Sequence, residues 1–315
     1  MHIVYLEPVA ADVEEIVRSC LPPDYTLQVR QPNESPVTAV KDADFILVAT
    51  TPVTAEVIQA APKLKLIQHQ GVGYNNIDLT AAREAEVPVA LTSTGSISPV
   101  AEHVFMLVMS LYRHLFVARQ SLRDGQWLQW GLRPVSYNVA GKTLGIIGLG
   151  RIGKKVAVRA KAFECETLYY DIVRPEPALE AELGVKFVDL ETLLSQADIV
   201  TLHVPLDGST RNMIGAQELA LMQSHALLIN AARGGVVDEV ALLEALHAKQ
   251  IAGAGLDVFV QEPPAADNPL LLMENVVATP HIAAGTRDAL TEKMTAAFAN
   301  MQRVERGHMP EEVVA

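Results

Sequence analysis

Short apolar runs alternate with helical patterns along almost the whole chain. In the first part of the sequence, apolar runs occur in HIVYL, TLQVR, DFILVAT, KLKLIQH and VPVALTS. Amphipathic stretches such as VEEIVRSC and AEVIQAA separate them. Brief apolar runs that alternate with helices are typical of parallel strands buried on both faces. This part of the chain is therefore predicted to form a parallel sheet flanked by helices.

A second series of apolar runs begins at residue 143. Its candidate strands are TLGIIG, TLYYD, VKFV, DIVTLHV, ALLINAA, AGAGLDVF and NVVATPH. The two series together predict an α/β protein with two doubly wound, Rossmann-like parallel sheets. The last helical pattern, RDALTEKMTAAFANMQRVERG, is expected to return to the first sheet. We therefore predict one domain of residues 1–97 completed by 286–315, and a second domain of residues 98–285.

One long apolar helix is predicted between the two series. Ser98 can cap it, Pro99 can occupy its first position, and the pattern continues through VAEHVFMLVMSLYRHLFVARQSLRDG. Since the helix is apolar on much of its circumference, it needs cover on several sides, as at a domain junction or a dimer interface. Its most apolar segment is too short to span a membrane. Residues 98–125 are thus a candidate homodimer interface.

Charge and cysteine content exclude several classes of partner. The 315 residues carry a net charge of −12 without a run of Lys or Arg, so nucleic acid and anionic membranes are poor partners. The two cysteines, Cys20 and Cys165, form no metal-type cluster, which argues against a metal site and a disulfide scaffold. The start MHIVYLEP lacks the pattern of a signal peptide. We expect a cytoplasmic protein.

A glycine-rich turn indicates a dinucleotide site. Gly148, Gly150 and Gly153 form a GxGxxG pattern, with Arg151 and Ile152 between the last two, after an apolar strand and before a helical run. The first glycine permits the tight turn, the second lets a pyrophosphate approach the backbone, and the third lets helix and strand pack closely. The free amides of the helix N-terminus allow an acidic protein to hold a diphosphate.

An acidic residue at the end of the next strand predicts the preferred nucleotide. Asp171 lies 18 residues after Gly153, where its carboxylate can accept hydrogen bonds from the adenosine ribose and repel a 2′-phosphate. NAD is therefore expected rather than NADP. Arg174 could serve a phosphate if its loop folds back.

Four polar residues follow strands on the other half of the second sheet. His203, Arg233, Asp257 and His281 follow its fourth to seventh predicted strands, on the side expected for the nicotinamide. Glu262 lies between two of them, in DVFVQEPP. A nicotinamide, a guanidinium, a carboxylate and an imidazole in one crevice would together specify hydride transfer to a carbonyl beside a carboxylate.

Each of these side chains also has a purely structural interpretation. Arg233 could pair with Asp238 or Glu239 at the end of its strand. Glu262 could be a solvated loop carboxylate, and His281 a satisfied histidine at the rim of a core. The position of all three at the carboxyl edge of one sheet favours the chemical interpretation.

The same residues carry a family resemblance. GLGRIG, NAARGG, GLDVFVQEPP and ATPHIAAGT resemble the signatures of the D-isomer-specific 2-hydroxyacid dehydrogenases, and the resemblance covers essentially the whole chain. It implies that His281 is the general acid in reduction and the base in oxidation, that Glu262 is its hydrogen-bonded partner, and that Arg233 binds and polarises a 2-oxo acid. A carboxylate beside the imidazole favours the protonated form, which can supply a proton near neutral pH.

The resemblance also implies a cofactor pocket, a substrate loop and a position for the active site, which is expected in the cleft between the two domains. Backbone amides at Val72 and Gly73, in QHQGVGYNNID, would receive the substrate carboxylate, unless this segment is only a glycine turn. In the glyoxylate and hydroxypyruvate reductase branch, a tryptophan from the neighbouring subunit lines the pocket, and Trp130 is the candidate; a linker-packing role is the alternative. The residues expected to bind the cofactor are Gly148, Gly150, Arg151, Ile152, Gly153, Asp171, His203, Val204, Pro205, Thr210, Ala231, Arg233, Asp257, His281 and Ala283.

The favoured function is interconversion of a small 2-oxo acid and a D-2-hydroxy acid with NADH. Within the same scaffold, a phosphoglycerate dehydrogenase without a regulatory domain is an alternative, disfavoured because the chain ends at Ala315 soon after the returning helix. Formate and phosphite enzymes rank lower because their substrate loops differ. An NAD(H)-sensing, corepressor-like binding protein is the alternative from another class, and it would bind NADH without reducing 2-oxo acids.

Overall fold

A computed structural model describes all residues, 1–315, and the chain divides into two compact units. Unit 1 comprises Met1–Ser96 and Gly285–Ala315, and unit 2 comprises Ile97–Ala284. Each unit contains one parallel sheet, of five strands in unit 1 and seven in unit 2. The predicted α/β class with two parallel sheets is confirmed.

The sheet of unit 1 has the strand order β2-β1-β3-β4-β5, with every pair parallel. Its strands are β1 His2–Tyr5, β2 Thr26–Val29, β3 Phe45–Val48, β4 Leu66–His69 and β5 Val89–Ala90. The helices between them are α1 Ala11–Ser19, α2 Pro36–Ala39, α3 Ala55–Gln59 and α4 Leu79–Glu84. The central strands β3 and β4 are buried throughout, as their apolar runs predict.

The helix Arg287–Glu305 returns to complete the core of unit 1. The side chains of Met294, Phe298 and Met301 are at most 2% exposed and belong to the same apolar cluster as strand residues of β1, β3 and β4. Asn300 donates a hydrogen bond of 3.0 Å to the buried side chain of Gln68. The helix therefore belongs to unit 1 although unit 2 precedes it in the sequence.

The sheet of unit 2 has the order β12-β11-β10-β9-β6-β7-β8, again parallel throughout. The order reverses between β9 and β6, which in such sheets creates a crevice at the carboxyl ends of the strands. The strands are β6 Thr143–Ile147, β7 Glu166–Tyr170, β8 Val185–Phe187, β9 Ile199–Leu202, β10 Leu227–Asn230, β11 Gly253–Leu256 and β12 Val276–Ala278. The helices of this unit are α5 Ile97–Tyr112, α6 Leu115–Arg123, α7 Arg151–Ala162, α8 Pro177–Leu183, α9 Leu190–Gln196, α10 Ala216–Leu221 and α11 Glu239–His247, and the returning helix Arg287–Glu305 is α12.

The prediction of a single long helix between the two sheets is wrong. The chain breaks between α5 and α6, at a bend of 56°. His114 adopts the left-handed conformation, with φ 48°, and its Nε2 lies 2.8 Å from the carbonyl oxygen of Val135. Helix α5 also begins at Ile97, so Ser98 lies inside its first turn and is not its cap. The apolar periodicity continues across the break and therefore hides it.

Helix α5 lies directly on the sheet of unit 2, because small residues on β11 make room for it. A Cβ added at Gly255 would lie 2.9 Å from Cβ of Leu107. Ten of the 16 residues of α5 are buried. No single helix of this chain is long and apolar enough to cross a membrane; only the bent pair of α5 and α6 together reaches that length and composition.

Candidate active site

The glycine turn after β6 has the geometry that a dinucleotide loop requires. Gly148 has φ +95°, and a Cβ there would lie 2.6 Å from the carbonyl oxygen of His203. A Cβ at Gly153 would lie 2.2 Å from the carbonyl oxygen of Gly148, so only glycine lets α7 pack this closely. At Gly150, which precedes α7, no heavy atom lies within 4 Å of an added Cβ. The first and third glycines thus shape the loop, and the second leaves its surface open for a diphosphate.

Asp171 follows β7 and is tied to the glycine loop. Its Oδ2 accepts the backbone N–H of Leu149 at 2.6 Å, and its Oδ1 accepts that of Val173 at 3.1 Å. The carboxylate is therefore fixed beside the turn, at the position where the sequence predicts ribose recognition.

Arg174, the residue that could have favoured a 2′-phosphate, is engaged elsewhere. Its guanidinium forms a bidentate pair with Glu180, at 2.8 and 2.9 Å, and stacks over the Phe187 ring. Hydrogen bonds from Arg174 and from the Tyr169 hydroxyl lower the pKa of Glu180 to about 2. The charge of Arg174 is thus paired with Glu180 within unit 2.

His203 lies under the glycine loop as a neutral imidazole. Burial lowers its pKa to about 3. One ring nitrogen, Nε2, lies 3.0 Å from the hydroxyl of Thr201, whereas the buried Nδ1 has no hydrogen-bond partner. Buried polar atoms in native proteins are almost always paired, and a bound dinucleotide is one means of pairing this nitrogen. The orphaned nitrogen and the open surface at Gly150 therefore fit the cofactor that the sequence predicts.

Arg233 follows β10 in a turn that its neighbours hold. The side chain of Asn230 accepts the N–H of Ala232 at 3.1 Å and donates to the carbonyl of Arg233 at 3.0 Å. A Cβ at Gly234 would lie 2.0 Å from the backbone of Phe259, so the turn packs tightly on the next loop. The half-buried guanidinium donates to the carbonyl of Ala232 at 2.6 Å and forms no ion pair.

The alternative interpretation of Arg233, an ion pair with Asp238 or Glu239, is wrong, because both carboxylates accept other hydrogen bonds. Asp238 caps α11 by accepting the N–H groups of Val240 and Ala241 at 3.0 and 3.1 Å. Glu239 accepts the N–H of Val260 at 2.6 Å. The arginine charge is therefore available to an anionic ligand.

His281 and Glu262 form a direct pair at the end of β12. Nδ1 of His281 lies 2.7 Å from Oε2 of Glu262, and Oε1 of Glu262 accepts the N–H of Phe259 at 3.0 Å. The His281 side chain is 50% exposed. Its Nε2 has no partner within the protein, so it can exchange a proton with a ligand. An imidazole oriented by a carboxylate, with its second nitrogen free, is an arrangement suited to general acid–base chemistry.

Asp257 holds the loop that carries this imidazole. Its carboxylate is fully buried and accepts the Thr279 hydroxyl at 2.6 Å and the N–H groups of Ile282 and Ala283 at 2.9 and 2.8 Å. Burial opposes ionisation, but contacts with His103 and these three donors outweigh it and lower the pKa of Asp257. The sequence predicts a cofactor contact here, whereas the structure directs the carboxylate toward its own loop.

The remaining predicted cofactor residues surround this region of unit 2. Thr210 closes its own turn by donating to the carbonyl of Pro205 at 2.6 Å. Ala231 and Ala283 are buried, and the N–H of Ala283 donates to Asp257. Arg151, Ile152 and Val204 lie at the start of α7 and after β9. No group of three metal-ligating side chains occurs in the chain.

The segment 70–74 in unit 1 presents free backbone donors. The N–H groups of Val72 and Gly73 make no hydrogen bond within the protein, whereas that of Gly71 donates to Nδ1 of His69 at 2.9 Å. Nε2 of His69 lies 2.7 Å from the carbonyl oxygen of Ala49. His69 therefore holds the start of this segment, and the N–H groups of Val72 and Gly73 are available to an anion.

Glu7 is a supporting residue that sequence reasoning missed. Its Oε1 accepts the N–H groups of Ala49, Thr50 and Thr51 at 2.7 to 2.9 Å. Burial alone would raise the pKa of Glu7, but these backbone donors lower it. An acidic residue directly after the first strand, in YLEP, was the available signal.

Trp130 lies largely exposed in the segment between α6 and β6. Its side chain is 67% exposed, and the Arg133 guanidinium stacks over the ring at 4.2 Å from the centroid. Trp127, three residues earlier, is 76% exposed. Two exposed tryptophans in one short segment are unusual on a solvated surface.

Comparison with known proteins identifies the family. Residues 105–283 match the family described as "D-isomer specific 2-hydroxyacid dehydrogenase, NAD binding domain". The chain is 43% identical over 278 residues to the glyoxylate reductase of Korarchaeum cryptofilum, covering 87% of this chain and 83% of the relative. The chain belongs to the D-isomer specific 2-hydroxyacid dehydrogenase family. It is an NAD-dependent oxidoreductase.

Other relatives of this dehydrogenase bear different substrate names. A hydroxypyruvate reductase of Thermotoga maritima is 41% identical over 253 residues, covering 79% of this chain and 81% of the relative. A D-3-phosphoglycerate dehydrogenase of Methanocaldococcus jannaschii is 43% identical over 277 residues, or 87% of this chain, but the chain spans only 52% of that relative's length. The NAD-complexed structure of a D-isomer specific 2-hydroxyacid dehydrogenase from Lactobacillus delbrueckii ssp. bulgaricus aligns over 100% of both chains, with a TM-score of 0.85 and 28% identity.

Proposed function

We propose that this dehydrogenase reduces glyoxylate and hydroxypyruvate to the corresponding 2-hydroxy acids with NADH. The 2.7 Å pair between His281 and Glu262 is the observation that carries the proposal. It fixes one imidazole nitrogen and leaves the other free to protonate a carbonyl oxygen. When bound, NADH supplies the hydride.

Arg233 is proposed to bind the 2-oxo acid. Its guanidinium is half-buried and has no acidic partner. A planar guanidinium can hold a carboxylate through two charge-assisted hydrogen bonds and stabilise negative charge that develops on the adjacent carbonyl oxygen.

Backbone donors in unit 1 are proposed as further carboxylate ligands. The N–H groups of Val72 and Gly73 make no internal hydrogen bond, and uncharged donors of this kind can bind a small anion. The glyoxylate and hydroxypyruvate reductase names of relatives at 43% and 41% identity support a small 2-oxo acid as the substrate.

A homodimer formed through residues 98–125, together with the exposed segment that follows as far as Tyr137, is proposed as well. Large apolar side chains are exposed along α5, α6 and the segment that follows: Met106, Met109, Leu115, Phe116, Leu122, Trp127, Trp130, Val135 and Tyr137. A concentration of apolar side chains on one surface is typical of a protein interface. In a dimer, Trp130 would be available to the neighbouring subunit's pocket. Sedimentation of the purified protein, with a Phe116→Glu variant as comparison, tests this interface.

The substrate proposal is tested by oxidation of NADH, followed at 340 nm, with a panel of 2-oxo acids. The panel contains glyoxylate, hydroxypyruvate, pyruvate, 2-oxoisocaproate, phenylpyruvate and 3-phosphohydroxypyruvate. The highest kcat/KM is expected with the first two. An Arg233→Lys variant should lose at least about tenfold in kcat/KM, with a smaller effect on the Kd for NADH, since an ammonium cannot reproduce the bidentate geometry toward the substrate carboxylate.

Two outcomes would contradict the proposal. A preference for 3-phosphohydroxypyruvate would favour the second candidate function, that of a D-3-phosphoglycerate dehydrogenase. This candidate is supported by the 43% identity to the Methanocaldococcus enzyme. Tight binding of NADH without turnover of any panel member would favour an NAD(H)-sensing binding protein.

A further inference from the structure

A buried histidine on α5 contacts the loop that carries the proposed general acid. His103 is 9% exposed, and its Nε2 lies 2.8 Å from the hydroxyl oxygen of Thr279 and 3.4 Å from Oδ1 of Asp257. Neither His103 nor Thr279 contributes to the proposed chemistry. Since buried polar side chains are costly unless they are paired, this contact requires a reason of its own.

The direction of each hydrogen bond in this cluster follows from its donors and acceptors. The Thr279 hydroxyl has one proton, which it donates to Asp257 over 2.6 Å. Its oxygen can then only accept from His103, so Nε2 of His103 carries a proton. The imidazole of α5 therefore orients the threonine hydroxyl toward the carboxylate.

Asp257 fixes the backbone at His281 and at the two residues after it, the latter through its carboxylate. The N–H groups of Ile282 and Ala283 donate to it, and the N–H of His281 donates to the carbonyl oxygen of Asp257 at 2.8 Å. His281 has φ +53°, a left-handed conformation that side chains other than glycine seldom adopt. A strained backbone of this kind persists only where its surroundings hold it.

We propose that His103 is a positioning residue that holds the 279–283 loop, through Thr279 and Asp257, in the conformation that aims His281 at the substrate. The inference depends on the proposed function for its kinetic consequence but not for its structural one. Helix α5 would thereby act as the rigid support of the acid–base loop. Hydride transfer would become slower without His103 because the imidazole would be misplaced, although the imidazole itself would be unchanged.

Hydrogen exchange measures the structural consequence directly. His103→Leu removes the donor, whereas His103→Gln can present an amide N–H at a similar distance. In the cofactor-free protein, we expect exchange of the peptide covering residues 279–286 to be roughly tenfold faster in His103→Leu than in the wild type, and to return toward the wild-type rate in His103→Gln. Unchanged exchange in His103→Leu would overturn the proposal.

A matched control separates positioning from general loss of stability. Leu107→Ala removes a fully buried side chain from the same helix, one turn further along, where its Cβ lies 2.9 Å from the position of a Cβ added at Gly255 of β11. It should lower Tm by at least as much as His103→Leu, without accelerating exchange in residues 279–286 at 25 °C. Equal acceleration in both variants would show that α5 merely stabilises the unit.

Kinetics provide the second readout. His103→Leu should lower kcat about tenfold with little change in the Kd for NADH, and should increase the deuterium isotope effect with 4-deuterated NADH, because the chemical step becomes slower. Thr279→Val should have a similar effect, and the double variant should lose little more than either single variant. Additive losses would contradict a pathway through Thr279. If the wild type reduces no panel substrate, the proposed function fails, but the exchange experiment still tests the role of His103.

Discussion

Nδ1 of His281 lies 2.7 Å from Oε2 of Glu262. The loop that carries His281 is held by a backbone hydrogen bond to the carboxylate of Asp257. The carboxylate of Glu262 is itself oriented by the N–H of Phe259. The imidazole is thus constrained through both its ring and its backbone before any substrate is present. Such preorganisation is what efficient proton transfer requires, because misorientation lowers the rate steeply.

His281→Ala should lower kcat at least about a hundredfold and leave NADH binding nearly unchanged, since loss of a general acid typically costs that much. Turnover is measured by NADH oxidation and binding by NADH fluorescence. His225→Ala is the matched control: His225 also pairs with a carboxylate, Asp198 at 2.8 Å, but lies far from this loop in the sequence, before β10. Near-native turnover in His281→Ala would exclude a role in proton transfer.

Asp171→Ala should weaken NADH binding about tenfold without a comparable loss for NADPH, because the carboxylate is expected to accept hydrogen bonds from the ribose. The variant also removes the acceptor for the N–H of Leu149. Asp171→Asn retains an acceptor for that group but loses the charge, and so separates loop support from recognition. Equal losses of NADH and NADPH affinity in Asp171→Asn would show that the charge does not discriminate between the two cofactors.

Gly150→Ala should mainly weaken NADH binding, whereas Gly153→Ala should mainly destabilise the fold. An added Cβ at Gly150 meets no atom within 4 Å, so the fold should lose no more than about 1 kcal/mol while NADH affinity falls. At Gly153 the Cβ would lie 2.2 Å from a carbonyl oxygen, so Tm should fall markedly. Thermal melts and NADH titrations of both variants test the assignment, and a Gly150→Ala variant with unaltered affinity would contradict it.

His203 should make the protein less stable in mild acid. Its pKa in the folded protein is about 3, below the ordinary value of 6.5. Between these values the unfolded chain binds a proton that the folded chain does not, so stability is complete above pH 6.5 and falls as the pH decreases toward 3. This residue alone should lower the free energy of unfolding by about 2 kcal/mol between pH 6.5 and pH 5.

Urea unfolding at pH 7 and pH 5 tests this dependence. His203→Gln, which retains a donor near Thr201 but does not titrate in this range, should be less sensitive to pH than the wild type. The same pH dependence in both proteins would assign the acid sensitivity to other groups.

Much of the fold could be predicted from the sequence because its signals are local. Every predicted strand of both series is present, since short apolar runs between helices are typical of strands that the sheet buries on both faces. The roles of Gly148 and Gly153 were also predictable, because the GxGxxG spacing after a strand is a local signal. In the structure, both glycines occupy positions where an added Cβ would clash with a carbonyl oxygen. The break at His114 was not predictable, since it depends on a left-handed residue and a contact with the distant carbonyl of Val135.

The sequence by itself determined the two parallel sheets and the glycine turn, because apolar runs and glycine spacing are local signals. It also predicted that Arg233 and His281 follow strands of one sheet, because parallel strands bring their carboxyl ends to the same edge. Only the tertiary structure decided that Asp257 holds the acid–base loop and that Arg174 is occupied by Glu180. It also revealed the contact of His103 with Thr279, across 176 residues of sequence. Hydrogen bonds over such separations depend on how helices and sheets pack, and no local pattern of apolar and polar residues encodes that packing.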